Sequence, residues 1–150
     1  MNKNKKIVTY IIVGAVIIDK EKVLLLKRHT DEKVYPNFWE LPSGKKNPLE
    51  LTKYALKREV KEETNLEVIQ AEPFYVFDYQ IEKPLEIRDS VQINFLTSVV
   101  DPGTVKISRE HQEFMWLAKE DLRNYEITKL TRVTIEKAFD FLAGHKKIRN

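Results

Sequence analysis

Apolar and β-branched residues follow one another almost without a break from Ile7 to Ile18, and that composition predicts a strand. Asp19 to Lys22 interrupts the run, and Val23 to Leu26 resumes it, so a hairpin is expected. Thr30 to Asn37, with Pro36, reads as a loop. Phe38 to Leu41 is a short apolar segment closed by Pro42, Ser43 and Gly44. Beyond Pro48 a helical pattern runs to about Thr64. Val68 to Ile81 and Val91 to Val100 predict two further strands, with Pro84 and Asp89 in their connection. Pro102 and Gly103 mark a turn, Glu113 to Leu117 a short strand, and Asp121 to Asn124 one helical turn. Ile127, Leu130, Thr134, Ala138 and Leu142 follow the 3.6-residue period of a second long helix, with Gly144 as its stop signal.

The order is mostly strand, with one helix in the middle and one at the end. It predicts an α/β fold in which a mixed β-sheet is covered by helices on its faces, rather than a regular βαβ series. With 150 residues and neither repeat nor linker, residues 1–150 are expected to form one domain with short basic termini. The glycines are Gly14, Gly44, Gly103 and Gly144, and none builds a Rossmann fingerprint or a P-loop after the first strand. Phosphate binding, if present, needs another device.

Composition narrows the class further. Hydrophobic residues make up 42% and charged residues 33%, the range of folded proteins and far from disorder. The 26 basic and 23 acidic side chains leave +3, scattered along the chain. Lys3, Lys5 and Lys6 at one end, and His145, Lys146, Lys147 and Arg149 at the other, read as solvated ends, which argues against a nucleic-acid partner. The absence of cysteine excludes disulfides, thiolate zinc sites and thiol nucleophiles, and makes a reducing cytoplasm the simplest home. Ile11 to Ile18 is too short to span a bilayer, and no small-residue cleavage pattern precedes Asp19, so neither membrane nor export signal is expected.

The chemistry lies in the middle helix. Positions three and four apart share a helix face, so Glu59, Glu62 and Glu63 fall within an arc of roughly 100°. Lys53, Lys57 and Lys61 repeat on another face, while Leu56 and Val60 point toward a core. Three carboxylates on one stripe repel one another, and a divalent cation would relieve that repulsion. Magnesium suits hard oxygen donors and commonly shares carboxylates with substrate phosphates. By themselves the three glutamates also fit an ordinary solvated face.

The surrounding residues favour the metal. Gly44, Glu50, Arg58, Glu59, Val60, Glu62, Glu63 and Leu66 fall on the spacing of the Nudix box with every gap intact, and the segment resembles that signature of the Nudix hydrolases. Asn37 to Gly44 looks like the usual run into the box, and Glu110 to Leu117 like a later strand that often carries a tryptophan. Asn65 stands where the family has its final glycine; asparagine is the next-best residue for a left-handed helix end. Ser43 and Leu49 replace glycines often found before Gly44 and Glu50.

The resemblance implies a Nudix-like α/β/α sandwich and hydrolysis of a nucleoside diphosphate linked to another group. Magnesium, or manganese in its place, would be held by Glu59, Glu62 and Glu63. Arg58 would orient a glutamate, and Glu50 would sit early in the helix with support from the dipole. Glu110 is a candidate base or ligand, and His111 a structural or surface histidine. Arg28 is a candidate phosphate contact. Gly44, Trp39, Phe74 and Tyr79 are candidate substrate contacts, although Trp39, like Trp116, also reads as core. The small size favours conversion of a nucleoside triphosphate to monophosphate and pyrophosphate by a monomer or homodimer. ADP-ribose or dinucleotide polyphosphate hydrolysis, and a non-catalytic nucleotide-binding module, are the alternatives.

Overall fold

The computed structural model describes residues 4–149, with side chains described from 4 to 145. Lys3, Lys146, Lys147 and Arg149 of the basic ends therefore fall outside the described side chains; Lys5 pairs with Glu82 at 2.6 Å. The elements are β1 (Lys6–Asp19), β2 (Lys22–Arg28), β3 (Trp39–Glu40), β4 (Ser43–Lys45), α1 (Thr52–Thr64), β5 (Glu67–Glu82), β6 (Glu86–Val100), β7 (His111–Ala118) and α2 (Lys129–Arg149). Short 3-10 turns occupy Pro102–Thr104 and Lys119–Asn124.

The sheet is mixed. Its order is β3-β2-β1-β6-β5, with β4 pairing β1 and β7 pairing β2. β1 runs parallel to β6, while every other pairing is antiparallel. The apolar runs of β1 and β2 follow from burial on both faces. Val13, Ala15, Ile17, Leu24 and Leu26 face one core, shared with Ala55, Leu56 and Val60 of α1. Val16, Val23 and Leu25 face a second core, with Ile135 and Ala138 of α2. One helix thus seals each face, which makes the sandwich.

Several boundaries differ from the pattern. The helix begins at Thr52 rather than just after Pro48, because Leu49 takes φ 66° and Leu51 is extended at φ −69°, ψ 140°. Glu50 consequently lies in the preceding loop, not in the first turn of the helix. Asp89 belongs to β6, since the connection shortens to a turn at residues 83–85. Gly144 does not stop α2: it has no positive φ, and a glycine permits a helix end without imposing one. Leu130 is 37% exposed and faces a cavity rather than the core. The β1–β2 turn places Lys20 and Glu21 at φ 49° and 63°, the twist a two-residue hairpin requires. Asn65 ends α1 at φ 62°, ψ 9°, its N–H donating to the Lys61 carbonyl at 3.0 Å.

Leu49 and Asn65 share the left-handed conformation, but only asparagine tolerates it readily. Leu49 is 99% exposed, so its side chain recovers nothing by packing. Leu49→Gly should stabilise the fold by about 0.5–1 kcal/mol, the left-handed penalty less the extra entropy of glycine. Asn65→Gly should change it by less than about 0.5 kcal/mol. Urea melts of both variants check the pair.

Candidate active site

Arg58 organises the acidic helix. Its Nε and Nη2 donate to the two Glu50 oxygens at 2.8 and 2.9 Å. Nη2 also donates to the Lys45 carbonyl at 2.9 Å, and Nη1 donates to Glu59 at 2.8 Å and Glu62 at 3.4 Å. Every N–H of the guanidinium is used, and the fork ties the β4 strand and the loop after it to α1. The Arg58 fork, helped by the Asn47 N–H, holds the Glu50 carboxyl down to about 2, and Glu50 in turn raises the Arg58 pKa.

The stripe faces three environments. Glu62 is solvated, Glu59 is mostly covered, and Glu63 is buried with 4% exposure. Burial, with Glu40 and Glu59 beside it, pushes the Glu63 carboxyl up to about 10; a bond from the Ser43 N–H at 3.3 Å opposes this only weakly. Burial also raises Glu59, against the pull of Arg58. The charge of Glu110, in the turn before β7, acts weakly on both Glu59 and Glu63. Gly44 makes room: a Cβ there would overlap the Glu59 carboxylate.

Among the described residues no three acid or imidazole side chains converge as a ready-made ion cage, because Arg58 draws Glu59 and Glu62 to itself. The donor set still fits a hard divalent cation. All donors are carboxylate oxygens, and a buried carboxyl forced toward neutrality is the group a cation would return to its charged form.

Beside the acids lies a cavity of about 410 Å³. Trp39, Phe77 and Tyr79 supply aromatic walls, Gln92 part of the polar lining, and Thr128, Leu130 and Thr131 another side from the start of α2. Its charged residues are Arg28 and Glu40, joined at 3.0 Å, and Glu82. Glu40 also meets His111 Nε2 at 2.8 Å, which makes His111 a buried structural histidine. Glu40 is the link between the two regions, since it lines the cavity and its charge acts on Glu63.

The expected site residues are therefore divided. Glu59 and Glu63 share one helix with Arg58, Glu62 lies at the solvent edge, and Glu110 is an exposed acid whose charge reaches the first two. Arg28, Trp39 and Tyr79 line the cavity, but Arg28 is already engaged by Glu40, Glu32 and the Val34 carbonyl. Gly44 sits under Glu59 rather than in the cavity, and Phe74 packs against the α2 core. Trp116 packs on the α1 core. Sequence reasoning missed Glu40, Phe77 and Gln92. Glu40 stood inside the run into the box and could have been found there; the other two are set by strand register.

A helix bearing a buried acid, and an aromatic cavity lined by Glu40, make an arrangement suited to a cation and a ring-bearing substrate. Residues 9–138 match the NUDIX domain, and the chain belongs to the Nudix family. It is a Nudix-type nucleotide pyrophosphohydrolase, a family that generally uses a divalent metal. It is 31% identical over 130 residues to a nucleoside triphosphatase NudI of Klebsiella pneumoniae strain 342, covering 83% of this chain and 92% of that one. A MutT NUDIX hydrolase from Burkholderia pseudomallei superposes with a TM-score of 0.74 at 26% identity, over 86% of this chain and 97% of the other. An Ap4A hydrolase from C. elegans gives 0.66 at 25% identity, over 90% and 98%. No helix among the described residues is long and apolar enough to cross a membrane.

The raised Glu63 pKa fixes a sign. Below its ordinary value near 4.5 the carboxyl is neutral in both folded and unfolded chains. Above it the unfolded chain ionises while the folded chain keeps its proton up to about 10, so stability falls as pH rises across that window. In EDTA at pH 8, Glu63→Gln should be more stable than wild type by roughly 1–3 kcal/mol, with the gap closing toward pH 4. Chemical melts at several pH values test this. Gly44→Ala should fold with a loss under about 1 kcal/mol, because a side-chain end can move aside, yet activity should drop at least about tenfold as Glu59 is displaced. A melt and a turnover assay on the same sample check both halves.

Proposed function

We propose that this enzyme hydrolyses nucleoside triphosphates to monophosphate and pyrophosphate with magnesium as cofactor. The observation that supports it best is that Glu40 lines the aromatic cavity while its charge acts on Glu63 of the acidic helix. A base can lie among Trp39, Phe77 and Tyr79 while the phosphates reach Glu59 and Glu63. The NudI relative, named a nucleoside triphosphatase, points the same way. Modified or oxidised triphosphates fall within the same reading.

Glu59, Glu62 and Glu63 would hold the cation, which supplies charge neutralisation at the diphosphate and makes water more acidic. Arg58 positions Glu59 and Glu62 and stands outside the chemistry. Glu110 is the candidate to accept the proton of the attacking water; its exposure and its electrostatic influence on both inner acids support that role. Gly44 contributes space, and Phe74 has no part. The likeness to an Ap4A hydrolase favours dinucleotide polyphosphates as the second reading.

A panel of nucleoside triphosphates, ADP-ribose and diadenosine tetraphosphate, assayed with magnesium, decides between them. The expected result is fastest turnover of a triphosphate, with pyrophosphate as the first product; orthophosphate without pyrophosphate at early times would count against the assignment. Glu59→Gln and Glu63→Gln should each lower turnover by at least about 100-fold on folded protein. Near-normal magnesium-dependent activity in either variant would remove these acids from the reaction.

A further inference from the structure

β6 carries buried polar side chains where a strand of this fold would ordinarily bury apolar ones. Ser90 is 3% exposed, Gln92 8% and Asn94 0%. Opposite them in the parallel register, β1 places Gly14 against Asn94, in the middle of an otherwise β-branched strand. A Cβ on Gly14 would lie 2.6 Å from Asn94 Oδ1 and 2.8 Å from Gln92 Nε2. Glycine weakens a strand interior, and buried carboxamides cost free energy unless fully bonded. These features serve one arrangement.

Its direction is fixed by hydrogen bonding. Asn94 Nδ2 donates to the Tyr75 carbonyl at 3.3 Å, which turns Asn94 Oδ1 toward Gln92. Gln92 must then present its Nε2, and does so at 2.9 Å. The chain of bonds leaves Gln92 Oε1 as the outward end of a carboxamide that cannot flip without breaking its bond to Asn94. Gln92 lines the aromatic cavity; Asn94 stands behind it and does not. Tyr79 also lines the cavity, and it pairs with the buried Ser90 across the β5–β6 register. Among the polar groups of the cavity, Gln92 offers a carboxamide acceptor held in one orientation beside aromatic walls, which suits a heteroaromatic ring carrying an N–H.

We propose that Gln92 is the base-selecting residue: its Oε1 accepts a hydrogen bond from an amino or imino N–H of the nucleobase, and Asn94 is the positioning residue that keeps this acceptor facing the cavity. The proposal rests on the nucleotide reading of the cavity and adds what the cavity selects. A base without the donor leaves a buried acceptor unpaired, and a site built to bond a substrate N–H discriminates strongly against the analogue lacking it.

The test compares triphosphates with and without the donor: CTP against 2-pyrimidinone riboside triphosphate, ATP against purine riboside triphosphate, and UTP against N3-methyl-UTP, whose methyl group also adds bulk. For the best natural base, wild type should favour the donor-bearing member by at least about tenfold in kcat/KM. Gln92→Met, close in shape but without the acceptor, should bring that ratio within about threefold of unity. Asn94→Ala should reduce it part way, because the freed carboxamide can turn either end to the cavity. A wild-type ratio near unity for all three pairs overturns the proposal whatever the variants do, and so does an unchanged ratio in folded Gln92→Met. The same pairs are also compared as nucleoside diphosphates by calorimetric titration. Discrimination in binding without turnover of any triphosphate would refute the pyrophosphatase reading and leave base selection standing. No discrimination in either measurement refutes base selection alone.

Discussion

Five N–H groups on one side chain hold the reacting face of this protein together. Arg58 joins the loop through Glu50 and the Lys45 carbonyl, and its own helix through Glu59 and Glu62. Without that fork, the stripe of glutamates would repel itself and the loop ahead of α1 would have little to dock on. Leu49 illustrates the second point, because it is left-handed and wholly exposed. The loop keeps this unfavourable residue because its neighbour Glu50 is bound in place. A lysine could supply the charge but not the planar fork that meets both oxygens of one carboxylate while reaching others.

The same helix stores a cost. Glu63 lies on a buried side of α1 close to Leu56 and Val60, the residues that anchor the helix to its core. The fold therefore carries a carboxyl that burial drives toward its neutral form. Such a group weakens the folded chain at neutral pH and strengthens any interaction that restores its charge. Stability and cation affinity are coupled through this one residue, and a change that improves one should harm the other.

How much of this could be read from the sequence depended on the range of the interaction. The acidic stripe, Arg58 and the left-handed Asn65 are local features of one helix, and their spacing revealed them. The β-branched run of β1 and the apolar run of β2 likewise signalled a strand hairpin. Helix ends were less legible. Pro48 suggested a start, but Leu49 and Leu51 are non-helical because Glu50 is committed to Arg58, a contact eight residues away. Gly144 suggested a stop that the backbone does not take. Gln92 and Phe77 were invisible because only the β1–β6 and β5–β6 registers bring them to the cavity. Phe74 failed as a base contact for a related reason: a bulge between Pro73 and Tyr75 interrupts the strand alternation, and the ring goes to the α2 core.

The sheet separates two tasks that a nucleotide hydrolase must combine. The core under α1 carries the acids, and the core under α2 carries Trp39 and lies beside the aromatic cavity. Glu40 connects them because β3, a strand of two residues, sits where the sheet edge meets both, with His111 and Arg28 fixing its carboxylate. Under the proposed reading, a substrate must therefore cross this edge, phosphates toward α1 and base toward α2. The base contacts belong to β3, β5, β6 and the start of α2, none of which contributes a carboxylate to the acidic stripe. Substitutions in the cavity can then change which base is accepted while Arg58, Glu59 and Glu63 stay in register, because the cavity's lining and the acidic stripe have no residue in common.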